Sequence, residues 1–286
     1  MPADNGAKPT LSQPDCWETH EAACGRGEPT YADPETGYTV FTRLGLLERE
    51  RCCGAGCRHC PFGHESVPLA ARSKRVQQAA WLTAARPAPK EPCTVLFWSG
   101  GKDSFLALRA LQRAEPDNIV LITTFDARSR IIAHQEVYIE RVVEQAERLS
   151  APLIGVPLHE GAAYLDQLAP ALELVPNCAT LAFGDLHLDH IRKWREDAFA
   201  RDKRTAALRL SFPLWQADYQ ALLTDLEASG AVCSISALSS EIPGVSVGDR
   251  FDRKLIDILP ESVDPFGENG EFHTLLIPPD QKGDRL

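Results

Sequence analysis

The chain has 286 residues, 44% of them hydrophobic and 24% charged, room for one large domain or for two or three smaller ones with ordinary globular composition. No apolar run approaches the roughly 18–20 residues that a bilayer-crossing helix needs, and the polar N-terminal stretch lacks the apolar core of a secretion signal, so the expected location is cytoplasmic, without a membrane partner. Residues 1–92 balance acid and base, and the remainder supplies the whole net charge of −10; an acidic body argues against extensive nucleic-acid binding.

Six of the nine cysteines precede residue 61. An odd number of cysteines without a secretion signal favours metal or redox chemistry over a disulfide framework. Cys53-x3-Cys57-x2-Cys60, with Cys52 adjacent, forms a compact set, and Cys16 and Cys24 stand upstream as further ligands. Four thiolates suit a tetrahedral zinc ion or an iron–sulfur cluster; the alternative is a small core of reduced, unliganded cysteines. The first expected unit is thus a Cys-rich metal-binding module over residues 1–66.

Residues 67–92 read as a helix and a linker. Val76, Ala79, Ala80 and Leu82 fall at helical spacing, and the run from Arg86 to Pro92 carries three prolines that stiffen it. Strands and helices then alternate. Apolar runs at Thr94–Trp98, Ile119–Phe125, Pro152–Val156 and Thr180–Phe183 read as strands, separated by helices after the first Gly turn and over Glu136–Leu149, Ala162–Glu173 and Leu188–Phe199. Fully apolar strands joined by helices imply a parallel sheet covered on both faces, here a doubly wound α/β domain over residues 93–204. Beyond Thr205 the alternation weakens, with a helix at Tyr219–Ser229 and strands at Ala231–Ala237 and Phe272–Ile277. Residues 205–286 either complete the sheet or form a small substrate-binding lobe.

The most specific feature is Ser99-Gly100-Gly101-Lys102-Asp103-Ser104, directly after the apolar run Val95–Trp98. A strand, a tight glycine turn and a helix start aim backbone N–H groups and the positive helix end at one point. The glycines permit close approach of an anion, Lys102 adds charge, and Ser99 and Ser104 add hydroxyls. Asp103 would repel an anion, so it reads as a Mg²⁺ ligand beside polyphosphate or as a helix cap. The spacing is not that of a Walker A loop or of the dinucleotide fingerprint.

Ser-Gly-Gly-Lys-Asp-Ser after an apolar strand resembles the signature of the PP-loop ATP pyrophosphatases. The resemblance implies an adenine nucleotide alpha hydrolase-like fold in which Ser99 through Ser104 hold the ATP phosphates with Mg²⁺. It also implies chemistry in which a carboxylate or carbonyl oxygen is adenylated, pyrophosphate leaves, and a nitrogen or sulfur nucleophile displaces AMP.

Gly184-Asp185-Leu186-His187-Leu188-Asp189-His190 and Gly267-Glu268-Asn269-Gly270-Glu271-Phe272-His273-Thr274 resemble the diphthine–ammonia ligase branch, as does Pro213-Leu214-Trp215. Gly184 and Asp185 follow a parallel strand, where open α/β sheets place ligands; Asp185 reads equally as a helix cap or as a substrate or metal contact. Glu268, Asn269, Glu271 and His273 put two carboxylates, an amide and an imidazole around one turn, suited to binding an amine or ammonia and accepting its proton. The branch carries Glu-Gly-Gly-Glu-Tyr-Glu-Thr where this chain has Glu268 through Thr274. His273 therefore replaces an acidic contact, which points to a changed substrate. His134-Gln135-Glu136 also resembles bacterial relatives of the branch and marks His134, with Asn269 and Thr274, as a substrate contact. The Cys-rich segment, with Tyr38–Thr42, resembles a small bacterial domain of uncharacterised function.

These features lead to an ATP-dependent amide ligase with catalytic Lys102, Asp103, Glu268, Glu271 and His273. Its acceptor is a small molecule, protein or RNA bearing a carboxylate or carbonyl, and a homodimer is an open expectation. The competing readings are an RNA or nucleobase thiolase using the Cys module, and a non-catalytic ATP-binding regulator with a zinc docking module.

Overall fold

Residues 93–97 and 119–126 alternate their apolar side chains between two cores, and this two-sided burial is what makes them central strands. Val95 and Leu96 are both fully buried, on opposite faces. A strand with no polar face has no stable place except between two layers of helices. The computed structural model describes residues 16–88, 91–114 and 118–279. The first 15 residues of the expected Cys module, and Pro89 and Lys90 of the linker, lie outside them.

In chain order the elements are α1 (Cys16–Gly25), β1 (Thr30–Ala32), β2 (Thr39–Phe41), α2 (Arg43–Leu47), α3 (Leu69–Arg75), β3 (Ala80–Trp81), β4 (Cys93–Phe97), α4 (Lys102–Ala114), β5 (Ile119–Asp126), β6 (Ile131–Ile132), β7 (Val137–Tyr138), α5 (Ile139–Arg148), β8 (Leu153–Leu158), α6 (Tyr164–Glu173), β9 (Cys178–Ala182), α7 (Asp189–Arg201), β10 (Arg209–Ser211), α8 (Tyr219–Ala228), β11 (Val232–Leu238), α9 (Arg253–Ile256) and β12 (Phe272–Ile277). Among the described residues no helix is long and apolar enough to cross a membrane.

The central sheet has six strands in the order β10-β9-β4-β5-β8-β3. All neighbours are parallel except β3, which runs antiparallel to β8. The chain moves from β4 outward through β5 and β8, then returns to place β9 on the other side of β4. The order reverses between β4 and β9, and a crevice opens there at the carboxyl ends of the strands.

Two stretches differ from the sequence expectation. The helix before the linker is α3, earlier than the apolar stretch that suggested it. Val76, Ala79, Ala80 and Leu82 are buried, but Ala80 and Trp81 are extended and pair with Gly155 and Ile154. A short apolar run suits a buried edge strand as well as a helix, and tertiary pairing decides. Arg72 fixes this segment, donating to the carbonyls of Val67, Trp81 and Glu65 at 2.9, 2.8 and 2.8 Å. The tail beyond Thr205 divides between the central sheet and a separate strand pair. β10 extends the central sheet, whereas β11 and β12 form a separate antiparallel pair. Arg109 and Arg113 fasten α4 to α8 through Asp225, at 2.7 and 3.0 Å.

In the N-terminal module His59 and His20 stack at 3.6 Å between ring centroids. Tyr31 Oη lies 2.8 Å from His59 Nε2, and Trp17 packs edge-on against both His59 and His159, which joins the module to the α/β body. Burial holds His59 neutral, its pKa pulled down to about 2. That ring belongs to the module's aromatic core.

Candidate functional site

The phosphate loop leaves β4 at the sheet's reversal point. Gly100 adopts a positive φ of 82°, which a side chain would strain, and a Cβ there would lie 2.8 Å from Gln145 Oε1. Gln145 brackets the loop. Its Nε2 donates to the carbonyls of Gly100 and Leu276 at 2.9 and 2.5 Å, and its Oε1 accepts from Trp98 Nε1 at 2.9 Å. Leu276 N–H donates back to the Gly100 carbonyl at 3.0 Å, so β12 is tied directly to the loop. Gln145→Ala strands a buried indole N–H and part of two carbonyl shells. It is expected to cost about 1–3 kcal/mol, read as a lower urea midpoint with an unchanged slope.

Helix α4 begins at Lys102, whose N–H donates to Thr274 Oγ1 at 3.1 Å. Thr274, expected as a substrate contact, therefore caps the loop helix from the C-terminal lobe while also lining the cavity. The Lys102 side chain is 3% exposed and pairs with Asp103 Oδ2 at 2.9 Å. Its ammonium sits 5.3–5.7 Å from the ring centroids of Phe251, Phe266 and Phe272, an aromatic cage that stabilises a cation. Ser104 Oγ donates to the Gly101 carbonyl at 3.0 Å, and Gly101 N–H to Ser99 Oγ at 3.4 Å.

Across the crevice, Gly184 packs so closely on the loop that a Cβ would come within 3.0 Å of the Asp103 carbonyl. Asp185 is held by Arg195 in a two-point ion pair at 2.7 and 3.1 Å. It does not cap α7, whose N-cap position is Leu188, so the helix-cap reading gives way to that ion pair. Arg195 is itself a cavity-lining residue that the sequence had not singled out.

One cavity of about 770 Å³ gathers these parts. It is lined by Ser99, Lys102, Asp103, Ser104, Gly184 and Asp185, together with His134, Glu268, Asn269, His273 and Thr274. Burial, reinforced by the charge of Asp103, pushes Glu268 up to about 8. Asp103 is also raised, by burial, against the opposing pull of Lys102. His273 is lowered by burial and by His134, whose ring centroid lies 5.6 Å away.

Glu271 is turned elsewhere. Its Oε1 accepts from Asp264 N–H at 2.9 Å and from Asn269 Nδ2 at 3.2 Å, bracing the turn. It is not among the cavity-lining residues. Among the described residues, three buried polar atoms of the cavity lining have no protein partner: Asp103 Oδ1, Thr123 Oγ1 and Gln135 Oε1. Unsatisfied buried polar atoms point to a ligand that completes them. Thr123 and Gln145 had a sequence signal that went unread. Each is a polar residue at an apolar position, Thr123 within the β5 run and Gln145 on the buried stripe with Val142 and Ala146.

Residues 93–202, which carry this loop and crevice, match the family described as Diphthamide synthase N-terminal domain. The matched segment is the one whose Ser99–Ser104 loop resembles the PP-loop ATP pyrophosphatases. Residues 19–66 match a separate family of unknown function, DUF5522. Among solved structures the chain is similar to the U34-tRNA thiolase NcsA from Methanococcus maripaludis with its 4Fe-4S cluster. The identity is 15%, over 70% of this chain and 68% of that one, with a TM-score of 0.30.

The DUF5522 segment does not assemble the expected metal centre. Among the described residues no three His, Cys, Asp or Glu side chains are placed to hold a metal ion. Cys53 and Cys57 lie 3.2 Å apart and Cys52 and Cys60 3.8 Å apart. Cys24 sits 3.6 Å from His20, and Cys16 lines a second cleft with Arg58 and His159. The cysteines divide because Cys52 and Cys60 point into the module's core while Cys53 is exposed. Among the described residues these thiols stand as two close pairs, and no group of three is gathered for a four-thiolate zinc or iron–sulfur site.

Around the Ser99–Ser104 loop the donor set does fit Mg²⁺, which takes one or two carboxylates and completes its shell with phosphate oxygens and water. Asp103 Oδ1, buried and unpartnered, is such a donor at the foot of the loop.

Proposed function

We propose that this chain is an ATP-dependent ligase that adenylates a carboxylate and joins it to ammonia or an amine, releasing AMP and pyrophosphate. The supporting observation is that one cavity is lined by Ser99, Lys102, Asp103 and Ser104 of the loop together with Glu268, a carboxyl group raised to about 8. Ser99 through Ser104 and the α4 N-terminus receive the pyrophosphate portion of ATP. Asp103 would hold Mg²⁺, which supplies charge neutralisation on the phosphates.

The acceptor carboxylate oxygen attacks the α-phosphorus, and the α–β bridging bond breaks to free pyrophosphate. Nitrogen then attacks the acyl carbon, AMP leaves with the former carboxylate oxygen, and Glu268 accepts the proton that nitrogen sheds. A group titrating near 8 suits that exchange at neutral pH. His134 and His273 face the acceptor with imidazoles. His273, kept neutral, offers a hydrogen bond where a carboxylate would repel an anionic acceptor.

Among the described residues no cysteine lines the cavity. This favours a free nitrogen nucleophile over sulfur carried on the chain's own thiols, the basis of the thiolase reading. Incubation with α- and γ-labelled ATP, ammonium and candidate carboxylates distinguishes the chemistry. Labelled AMP and labelled pyrophosphate in equal amounts are expected. Exclusive formation of ADP and phosphate contradicts the proposal, and ATP binding without turnover under every acceptor supports a regulatory role instead.

A further inference from the structure

The loop Cys53-Gly54-Ala55-Gly56-Cys57 folds back so that its two end thiols meet. Gly54 and Gly56 both take positive φ, 74° and 76°. A Cβ on either would lie 2.9 Å from the Ser66 carbonyl oxygen or 2.8 Å from that of Arg75. Only glycine satisfies both demands, the left-handed backbone and the close approach. The product of that geometry is an Sγ–Sγ separation of 3.2 Å between Cys53 and Cys57. A disulfide needs about 2.05 Å, within reach of small side-chain rotations.

The pair is asymmetric in access. Cys53 is exposed and Cys57 half-buried, whereas Cys52 and Cys60 are each 6% exposed and wider apart, at 3.8 Å. Gly54 N–H donates to Cys52 Sγ at 3.4 Å, which holds that sulfur inside the turn. A thiol open to solvent beside a sheltered one is the arrangement of an attacking and a resolving cysteine. None of the four reaches the ATP cavity, so their chemistry is separate from the ligase reading.

We infer that Cys53 and Cys57 form a redox-active dithiol that exchanges with low-molecular-mass disulfides. Cys53, as thiolate, attacks one sulfur of the small disulfide. A mixed disulfide forms on Cys53 and one small thiolate leaves. Cys57 displaces the second small thiolate from Cys53, and the proton that Cys57 loses passes to that leaving thiolate. The dithiol is oxidised by two electrons to the Cys53–Cys57 disulfide, and the small disulfide is reduced to two thiols.

The test uses the full-length, reduced protein incubated with oxidised and reduced glutathione, acid-quenched, alkylated and mapped by peptide mass spectrometry. The expected result is loss of alkylation at Cys53 and Cys57 through one mutual disulfide, restored by dithiothreitol, with Cys52 and Cys60 still reduced. Cys57→Ser is expected to accumulate a glutathione adduct on Cys53 that the unaltered protein resolves. Formation of Cys52–Cys60 without Cys53–Cys57 overturns the inference. So does protection of all four thiols by a zinc or iron ion bound one per chain and released by a chelator.

Discussion

Glu268→Gln is expected to lower the rate of AMP formation by about 10²–10⁴-fold and to abolish the rise of activity with pH through about 8. The base is active when deprotonated, so kcat/KM climbs as pH passes that value in the unaltered protein and stays flat in the variant. The same residue leaves a mark on stability. Its folded pKa lies above the ordinary glutamic acid value, so the stabilisation it brings is complete below about 4.5 and is lost as pH rises through about 8. Glu268→Gln should therefore gain in Tm relative to the unaltered protein at pH 9 but not at pH 4. A Glu268→Gln protein with full activity and an unchanged pH profile would remove this residue from the reaction.

Asp103→Asn keeps the shape of the loop and removes its charge. The loss of the orphaned carboxylate oxygen and of the Lys102 ion pair should reduce turnover by about 10²–10³-fold, the scale of losing one well-placed electrostatic group. Because Asp103 is second only to burial in raising Glu268, the residual activity should titrate at lower pH than in the unaltered protein. A structural role alone would lower activity without moving that limb. The shifted limb is the expected result, measured by a pH–rate profile at a temperature where thermal denaturation shows the variant folded. An unshifted limb would mean that the two carboxyl groups do not sense each other.

Much of the α/β body was legible because its signals are local and strong. The apolar runs ending before Ser99 and Gly184 set β4 and β9, and the glycine turn after the first needs no partner to be recognised. Phe272–Ile277 was readable as a strand for the same reason. The stretch Val76–Leu82 misled because four apolar residues fit a helix and an edge strand alike, and pairing with Gly155 is a long-range fact. Asp185 stayed open between a helix cap and a site contact for a different reason. Its partner Arg195 is ten residues on, one place among several charges of α7, and only the folded helix shows which arginine reaches back.

The site itself divides along the same line. Ser99 through Ser104 could be assigned from sequence because loop and helix are contiguous. Glu268 and Glu271 looked equivalent on either side of Asn269-Gly270. The turn sends one toward Asp103 and the other back to the Asp264 backbone, a distinction of side-chain direction that spacing does not carry. The cysteines show the limit most plainly, since close spacing suggested one centre where burial of Cys52 and Cys60 and exposure of Cys53 divide the thiols into pairs.

The central claim is that the crevice between β4 and β9 holds ATP with its pyrophosphate on the Ser99–Ser104 loop. A crystal structure with Mg²⁺ and α,β-methylene-ATP, which resists cleavage at the bond in question, tests it most directly. The β- and γ-phosphates are expected against the loop N–H groups, with Asp103 Oδ1 on the metal and the α-phosphorus open toward Glu268 and His273. Nucleotide bound elsewhere, or with its γ-phosphate rather than its α-phosphorus facing Glu268 and His273, would contradict the account.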